Sequence, residues 1–442
     1  MNKIVLYILI LASFIFLTGQ QIKFDSIGQY KQFPDGRIKI NEVKKFQYGI
    51  FGINCDEGII GSDKKSVELK GNVVLWDTLR YITCDKANIT EYSDMHRAFF
   101  NDNVFVSQDS VRIWANSGRF DELTHFTAFN DSIEVRYDIY PSAMYCQSMT
   151  YNDDSGKLQS SRTENIVYID SVYKVTLTSN EVEYNTKTNI LSINKKHDYF
   201  VERIEKGRFE PNIIKKLNYK QFLQFPTDSL DRVRISTIKS KAFFNTGVYE
   251  FISRVMVVHT DSLDKITVLK CDTMHIDQNI ERVNFNGNFS LSNDSVSIVG
   301  GKAVLNWKKN QLIVYNQPKL SFNDNEAIGD SCHIFYDKAG LDEINIYGSG
   351  KLLNPVRQGL NLMNTIDGRY ISMDFEDNDP KSLKVIRQAQ CTYYSESDSL
   401  GNYAKNIASG DTLFLEFDKK KLSKITVIGG VKGRYLPGVK NE

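Results

Sequence analysis

The chain has 442 residues, 41% hydrophobic and 25% charged, with 55 basic side chains against 54 acidic ones. That balance suffices for a buried core and excludes intrinsic disorder for most of the chain. A net charge of +1 offers no basic stripe to neutralise a run of phosphates, so nucleic acid is excluded as a partner.

The N-terminus begins Met1-Asn2-Lys3, runs without a charge from Ile4 to Leu17, and continues with Thr18, Gly19 and Gln20. A short basic start, an apolar middle and a small or polar cleavage zone predict a cleaved secretory signal over residues 1–20. The apolar run falls short of the ~20 residues that a spanning helix requires. The first cysteine is Cys55, far from the cleavage zone, so an exported, soluble protein without a lipid anchor is expected.

From residue 21 to 195 the sequence echoes itself. Gly71-Asn72-Val73-Val74-Leu75 is followed eleven residues after Val73 by Cys84, and Asp102-Asn103-Val104-Phe105-Val106 is followed eleven residues after Val104 by Ala115. The two units are thirty-one residues apart, and a third begins at Asn130-Asp131-Ser132-Ile133-Glu134-Val135. Within a unit Val104, Val106, Val111, Ile113 and Ala115 share one parity while Arg112 and Trp114 take the other. Period two predicts strands with one face toward an interior; Trp114 and Phe105 make the outer face partly aromatic.

Asp followed by Ser or Thr and then an apolar residue recurs at Asp77, Asp109, Asp131, Asp170, Asp228, Asp261, Asp294, Asp398 and Asp411. Such side chains bond neighbouring backbone groups, so these aspartates are read as turn residues that precede strands. A carboxylate-based active site would need two distinct environments converging in one place, which an evenly spread motif does not offer.

Residues 196–241 are charged and irregular and are expected to form an insertion or junction, with one short helix over Pro211 to Phe225 carrying Ile214, Leu217 and Phe222 on one side. The pattern returns over 242–442, where Gly287-Asn288-Phe289-Ser290-Leu291 repeats the unit start. The predicted fold class is therefore all-β, built from repeated antiparallel strand pairs in one or two arrays.

Six cysteines, at 55, 84, 146, 271, 332 and 391, are dozens of residues apart and several share a local context with Ala115, so they are read as small inward-facing residues ahead of one or two disulfides or a metal site. Six scattered histidines form no metal-binding or nucleophile motif. No catalytic residue, metal or cofactor is expected.

The Gly-Asn-Val starts, the strand Ser110-Val111-Arg112-Ile113-Trp114-Ala115 and the element Cys84-Asp85-Lys86-Ala87 together resemble the OstA-like, or LptA-like, family of lipopolysaccharide-transport proteins. The C-terminal segment from Ser409 to Phe417, continuing through Lys424 to Val431, is similar to longer family members. The resemblance covers residues 60–185 and, more loosely, 245–435. It implies an open β-jellyroll in the periplasm that takes up lipopolysaccharide or a related lipid, works with other lipopolysaccharide-transport proteins and associates end to end with itself. It also implies that Val73, Leu75, Val104, Val106, Val111, Ile113, Ala115, Ile133 and Val135 face a lipid groove. Two departures stand out: Arg80 falls where the next unit has Val111, and the chain has about twice the length of compact members. Its ending at Val439-Lys440-Asn441-Glu442, with no series of lipid-facing strands, argues against a fused barrel. The alternative is a non-enzymatic envelope scaffold that binds other envelope proteins through its outward aromatics.

Overall fold

Residues with positive φ are tolerated cheaply by Gly and, less well, by Asn and Asp. In a computed structural model, such residues recur in pairs at the middle of the long strands: Gly71 and Asn72 (φ 73° and 44°), Asp102 and Asn103 (63° and 52°), Asp131 and Ser132 (63° and 53°), and Gly287 and Asn288 (72° and 47°). The structure describes residues 28–439 except 109, 139–140, 206–207, 211–213, 215, 323, 338–339, 357–361, 377–378, 397–402 and 419–420. The signal expected over residues 1–20 lies outside them, as do Asp109 and Asp398.

The chain adopts the expected all-β architecture, with 76% of the described residues in strands and 2% in helix. It divides into two compact units, residues 1–229 and 230–442. In the first, antiparallel hairpins run through Ile38–Tyr48, Phe51–Ile60, Ser66–Trp76, Arg80–Tyr92, Met95–Gln108, Val111–Asp121, Phe126–Tyr137, Ser142–Asn152 and Lys157–Ile169. Every one of these pairings shifts register at mid-strand, for example between Lys70 and Val73 and between Asn101 and Val104. A two-residue left-handed corner bends a strand without ending it, so each hairpin contributes one half to each of two leaves.

The inner row of the first leaf reads Ile53, Leu75, Ile82, Val106, Ile113, Val135 and Met144, each opposite the next. The second leaf faces it with Leu69, Ala87, Phe100, Gly118, Phe129 and Met149 in one row. These residues are all buried and, apart from Gly118, belong to a single apolar cluster. Gly118 has a spatial reason: a Cβ there would lie 2.9 Å from Phe129 and 3.3 Å from Phe100.

The corners are clasped across strands. Asn72 Nδ2 donates to Asp56 Oδ2 at 2.9 Å, Asn103 Nδ2 to Asp85 Oδ2 at 2.7 Å, and Asn288 Nδ2 to Asp272 Oδ2 at 2.9 Å. The second unit uses the same device in strands such as Val248–Thr260, Arg282–Ser292 and Asp379–Glu396, with further left-handed pairs at Ser253/Arg254 and Arg387/Gln388. Its core includes Phe285, Phe289, Val314, Ile346, Ile371 and Leu413.

Two sequence expectations change here. Asp131 and Asp411 do not sit in hairpin turns: Asp131 occupies a mid-strand corner, and Asp411 packs its carboxylate against left-handed Gly429. Asp77, Asp170 and Asp261 are turn residues, each accepting backbone N–H groups two to four residues ahead. The helix expected over Pro211 to Phe225 is interrupted: residues 211–213 and 215 lie outside the described residues, Ile214 is helical, and a separate helix spans Tyr219–Leu223, where Asn218 forms a capping box with Gln221.

Over 196–225, strand His197–Ile204 pairs with Tyr173–Thr178, and Ile214, Tyr219 and Phe222 pack with Ala143, Val167 and Ile169 in a second apolar cluster. Ala143 alternates with inward-facing Met144, so this cluster lies on the outer face of the first leaf.

The corner is open to direct test. Gly71→Ala places a side chain on a residue with φ 73°, 2.4 Å from Asp56 Oδ2, and should lower unfolding free energy by about 1–3 kcal/mol. Gly58→Ala meets Leu69 at an ordinary 3.6 Å and should change stability by less than about 0.5 kcal/mol in the same urea titration.

Candidate functional site

The apolar interior of the first unit is the feature that could hold a ligand. Val73 and Leu75 are fully buried, Val104, Val106, Ile133 and Val135 lie in the same cluster, and Ile113 and Ala115 are 7% and 6% exposed. Val111 differs. It stands half-buried at the outer end of the first leaf, opposite Gln108 on one side and Tyr137 on the other.

That end row begins with Arg80, which pairs with Gln108. Arg80 and Val111 therefore occupy equivalent register positions, and no slip separates the first unit of the repeat from the second. What differs is chemistry: the charge sits at the mouth between the leaves. Its side chain is 6% exposed, bonded to Asp77 through Nε at 2.9 Å and through a second guanidinium nitrogen at 2.7 Å. The guanidinium lies 3.7 Å from the centre of the Phe120 ring and 3.4 Å from Asp153 Oδ2. Gln108 Nε2 donates to the other Asp153 oxygen at 3.1 Å.

Asp153 and Phe120 belong to the second leaf, so these contacts bridge the mouth. Others do the same: Phe51 against Phe120 at 6.0 Å, Tyr48 against His96 at 5.5 Å, and Tyr137 against Tyr184 at 6.5 Å. Each of these three reaches a strand three or four places further along the sheet, a stagger of about 14–19 Å at the usual strand spacing. The leaves therefore cross rather than stack in register. At the Tyr48 end the closure is tight. His96 is 5% exposed, its Nδ1 donates to Glu122 Oε2 at 2.8 Å, and the Tyr48 hydroxyl donates to the Lys64 carbonyl. Burial and the nearby carboxylates of Glu91 and Asp63 push the Tyr48 hydroxyl pKa upward.

Beneath Arg80 and Gln108 lies a cavity of about 20 Å³ lined by Ile82, Phe100, Val106, Ile113, Phe120 and Phe129. That space holds about one water molecule, so an acyl chain would enter here only if the leaves part. Phe100, Phe120 and Phe129 lie on the second leaf, where the repeat motif gives no signal. Ile82 and Met144 could have been found by extending the same parity along their strands. Asp153 carried no such signal, being seventy-three residues from Arg80.

The outer face of the first leaf is aromatic as expected. Phe105 and Trp114 rings lie 5.1 Å apart, and Arg136 stacks over Trp114 at 4.2 Å while its Nε donates to Glu134. Glu134 also accepts the backbone N–H of Tyr219 at 2.9 Å, which joins this patch to the outer cluster.

All six cysteines are unpaired and buried. Cys84 faces Val73 and Cys146 faces Ile133, beside the corners, where a small side chain fits between converging strands. Burial pushes the thiols of Cys55, Cys84, Cys146, Cys271 and Cys332 up to about 12 and that of Cys391 up to about 11. Among the described residues no group of three or more His, Cys, Asp or Glu side chains is arranged to hold a metal, and no helix is long and apolar enough to cross a membrane.

Comparison with known proteins returns one kind of likeness. No family model and no curated protein matches the chain. Among solved structures, it is similar to LptH, the LptA-homologous periplasmic component of the lipopolysaccharide transport device of Pseudomonas aeruginosa. That likeness has 11% identity and a TM-score of 0.25, over 32% of this chain and 95% of LptH.

The thiols give a second test. A thiol reagent at about pH 8, below the ordinary thiol pKa, should label none of the six in the native protein and all six in denaturant. Burial raises the Cys84 thiol from 9.0 to about 12 in the folded chain. The unfolded state therefore loses its protons first, so stability should fall as pH rises from about 9 toward 12.

Proposed function

We propose that the protein is a non-enzymatic lipid carrier of the cell envelope, which moves or bridges lipopolysaccharide or a related lipid toward the outer membrane with its acyl chains between the leaves of the β-fold. The observation that carries this proposal is the inner row from Ile53 to Met144, apolar at every position across seven strands and lying beneath an end row that holds Arg80 and Gln108. Exposing an acyl chain to water costs about 0.8 kcal/mol per methylene. A lipid crossing an aqueous compartment therefore needs an apolar lining of this kind. The inner faces supply it through Val73, Leu75, Val104, Val106, Ile113, Ala115, Ile133 and Val135, with Val111 at the entrance.

The repeat motifs and their resemblance to lipopolysaccharide-transport proteins support the choice of lipid and a periplasmic location. The exposed edge strand Gln29–Gln32, paired along one side with Ile38–Asn41, supports backbone pairing with a transport partner or a second copy.

A photo-crosslinking amino acid at Val106 and, separately, at Arg112 tests the assignment in cells of the source organism. Val106 points inward at 3% exposure, whereas Arg112 is exposed and paired with Asp138 on the outer face. Irradiation should give lipopolysaccharide adducts at 106 and none at 112. Adducts to other envelope proteins at 112, with none to lipid at 106 in a folded protein, would replace the carrier by the scaffold.

A further inference from the structure

The contacts that close the mouth differ in kind. At the Tyr48 end they are aromatic and tightly packed. Above the cavity they converge on a single carboxylate, Asp153, which accepts from Gln108 at 3.1 Å and from Arg80 at 3.4 Å. Arg80 is held more closely by its own turn, where Asp77 takes two guanidinium nitrogens at 2.7 and 2.9 Å and the backbone N–H groups of Leu79 and Arg80 at 2.7 Å. When the leaves separate, Arg80 and Asp77 can move together as one neutral pair. What breaks are the bonds of Arg80 and Gln108 to Asp153 and the stacking of the guanidinium on Phe120.

A nearly buried ion pair is weak evidence for stability, because desolvation offsets most of its attraction. Placing this one over an apolar cavity at a seam between two leaves suits a closure that opens with Arg80 still neutralised by Asp77. From this we infer that Asp153, with Arg80 and Gln108, is a polar latch that gates entry of acyl chains into the first unit. The inference rests on the lipid-carrier proposal and adds its point of entry. The Arg80 guanidinium over Phe120 roofs the closed interior. Opening at Asp153 exposes Val106, Ile113, Phe120 and Phe129 to an arriving chain.

The test compares the full chain with a Gln108→Cys/Asp153→Cys double variant, using a fluorescent dansyl-undecanoic acid as the probe. A short bis-methanethiosulfonate linker joins the two introduced thiols. The native cysteines are buried with thiol pKa values near 11 to 12 and do not compete. With the linker in place, probe affinity should fall at least about tenfold, since the competent open fraction is removed. Reduction should restore binding to the wild-type level or above, because the latch is then absent. Melting curves of the linked and reduced forms check that both are folded. Asp153→Asn, which keeps the side-chain shape, should speed probe association about two- to tenfold relative to wild type. Equal binding by linked, reduced and wild-type protein would overturn the latch and leave the carrier standing. A wild-type chain that fails to bind the probe would overturn both.

Discussion

The structure depends on a backbone constraint: two successive left-handed residues in the middle of a long strand. Such a pair turns the strand while hydrogen bonding resumes beyond it, so one hairpin serves two leaves. The cost of positive φ is small at Gly71 and Gly287 and is shared at Asn72, Asn103 and Asn288 by bonds to Asp56, Asp85 and Asp272. Glycine is doubly required at 71 and 287, since the clasping carboxylate occupies the place of a Cβ. The motif Gly-Asn-Val is thus a corner followed by the first inward residue of the next half-strand.

From the corner follows the interior. Alternating parity on both sides of each bend turns apolar side chains toward the same space, and cysteine or alanine fills the narrow position beside the bend. The far ends of the two leaves then meet in a staggered seam. Where that seam is aromatic it is packed shut. Where it runs over Arg80, Gln108 and Asp153 it is polar, and a cavity of about 20 Å³ lies below it. An interior built this way resembles a hinged pair of sheets more than a preformed channel, so the proposed lipid uptake requires the leaves to separate.

Much of the inner face was legible in the sequence because period two holds along each half-strand: Val104, Val106, Ile113 and Ala115 lie inward and Arg112 and Trp114 outward, as their parity requires. The corners themselves were misread in part. Asn101-Asp102-Asn103 has turn composition, yet strand Met95–Gln108 runs through it. Asp131 and Asp411 share a dyad with true turn residues but serve different backbones. The second leaf's Phe100, Phe120 and Phe129 and the seam at Asp153 were not legible, because they depend on how far one leaf is sheared past the other. That shear is set by twist and packing over several strands. The offset of Arg80 from Val111 was visible as a chemical difference at one register position; its meaning required the opposite leaf.

The central claim is that acyl chains lie between the leaves, against the inner row. The most direct measurement is methyl NMR of protein labelled at Ile, Leu and Val, titrated with a stearate carrying a nitroxide near its chain end. The account predicts selective broadening of Leu75, Val106, Ile113 and Val135 methyls, while Val74 on the outer face of the same leaf stays sharp. Broadening confined to outward methyls, or none at saturating stearate, would contradict it.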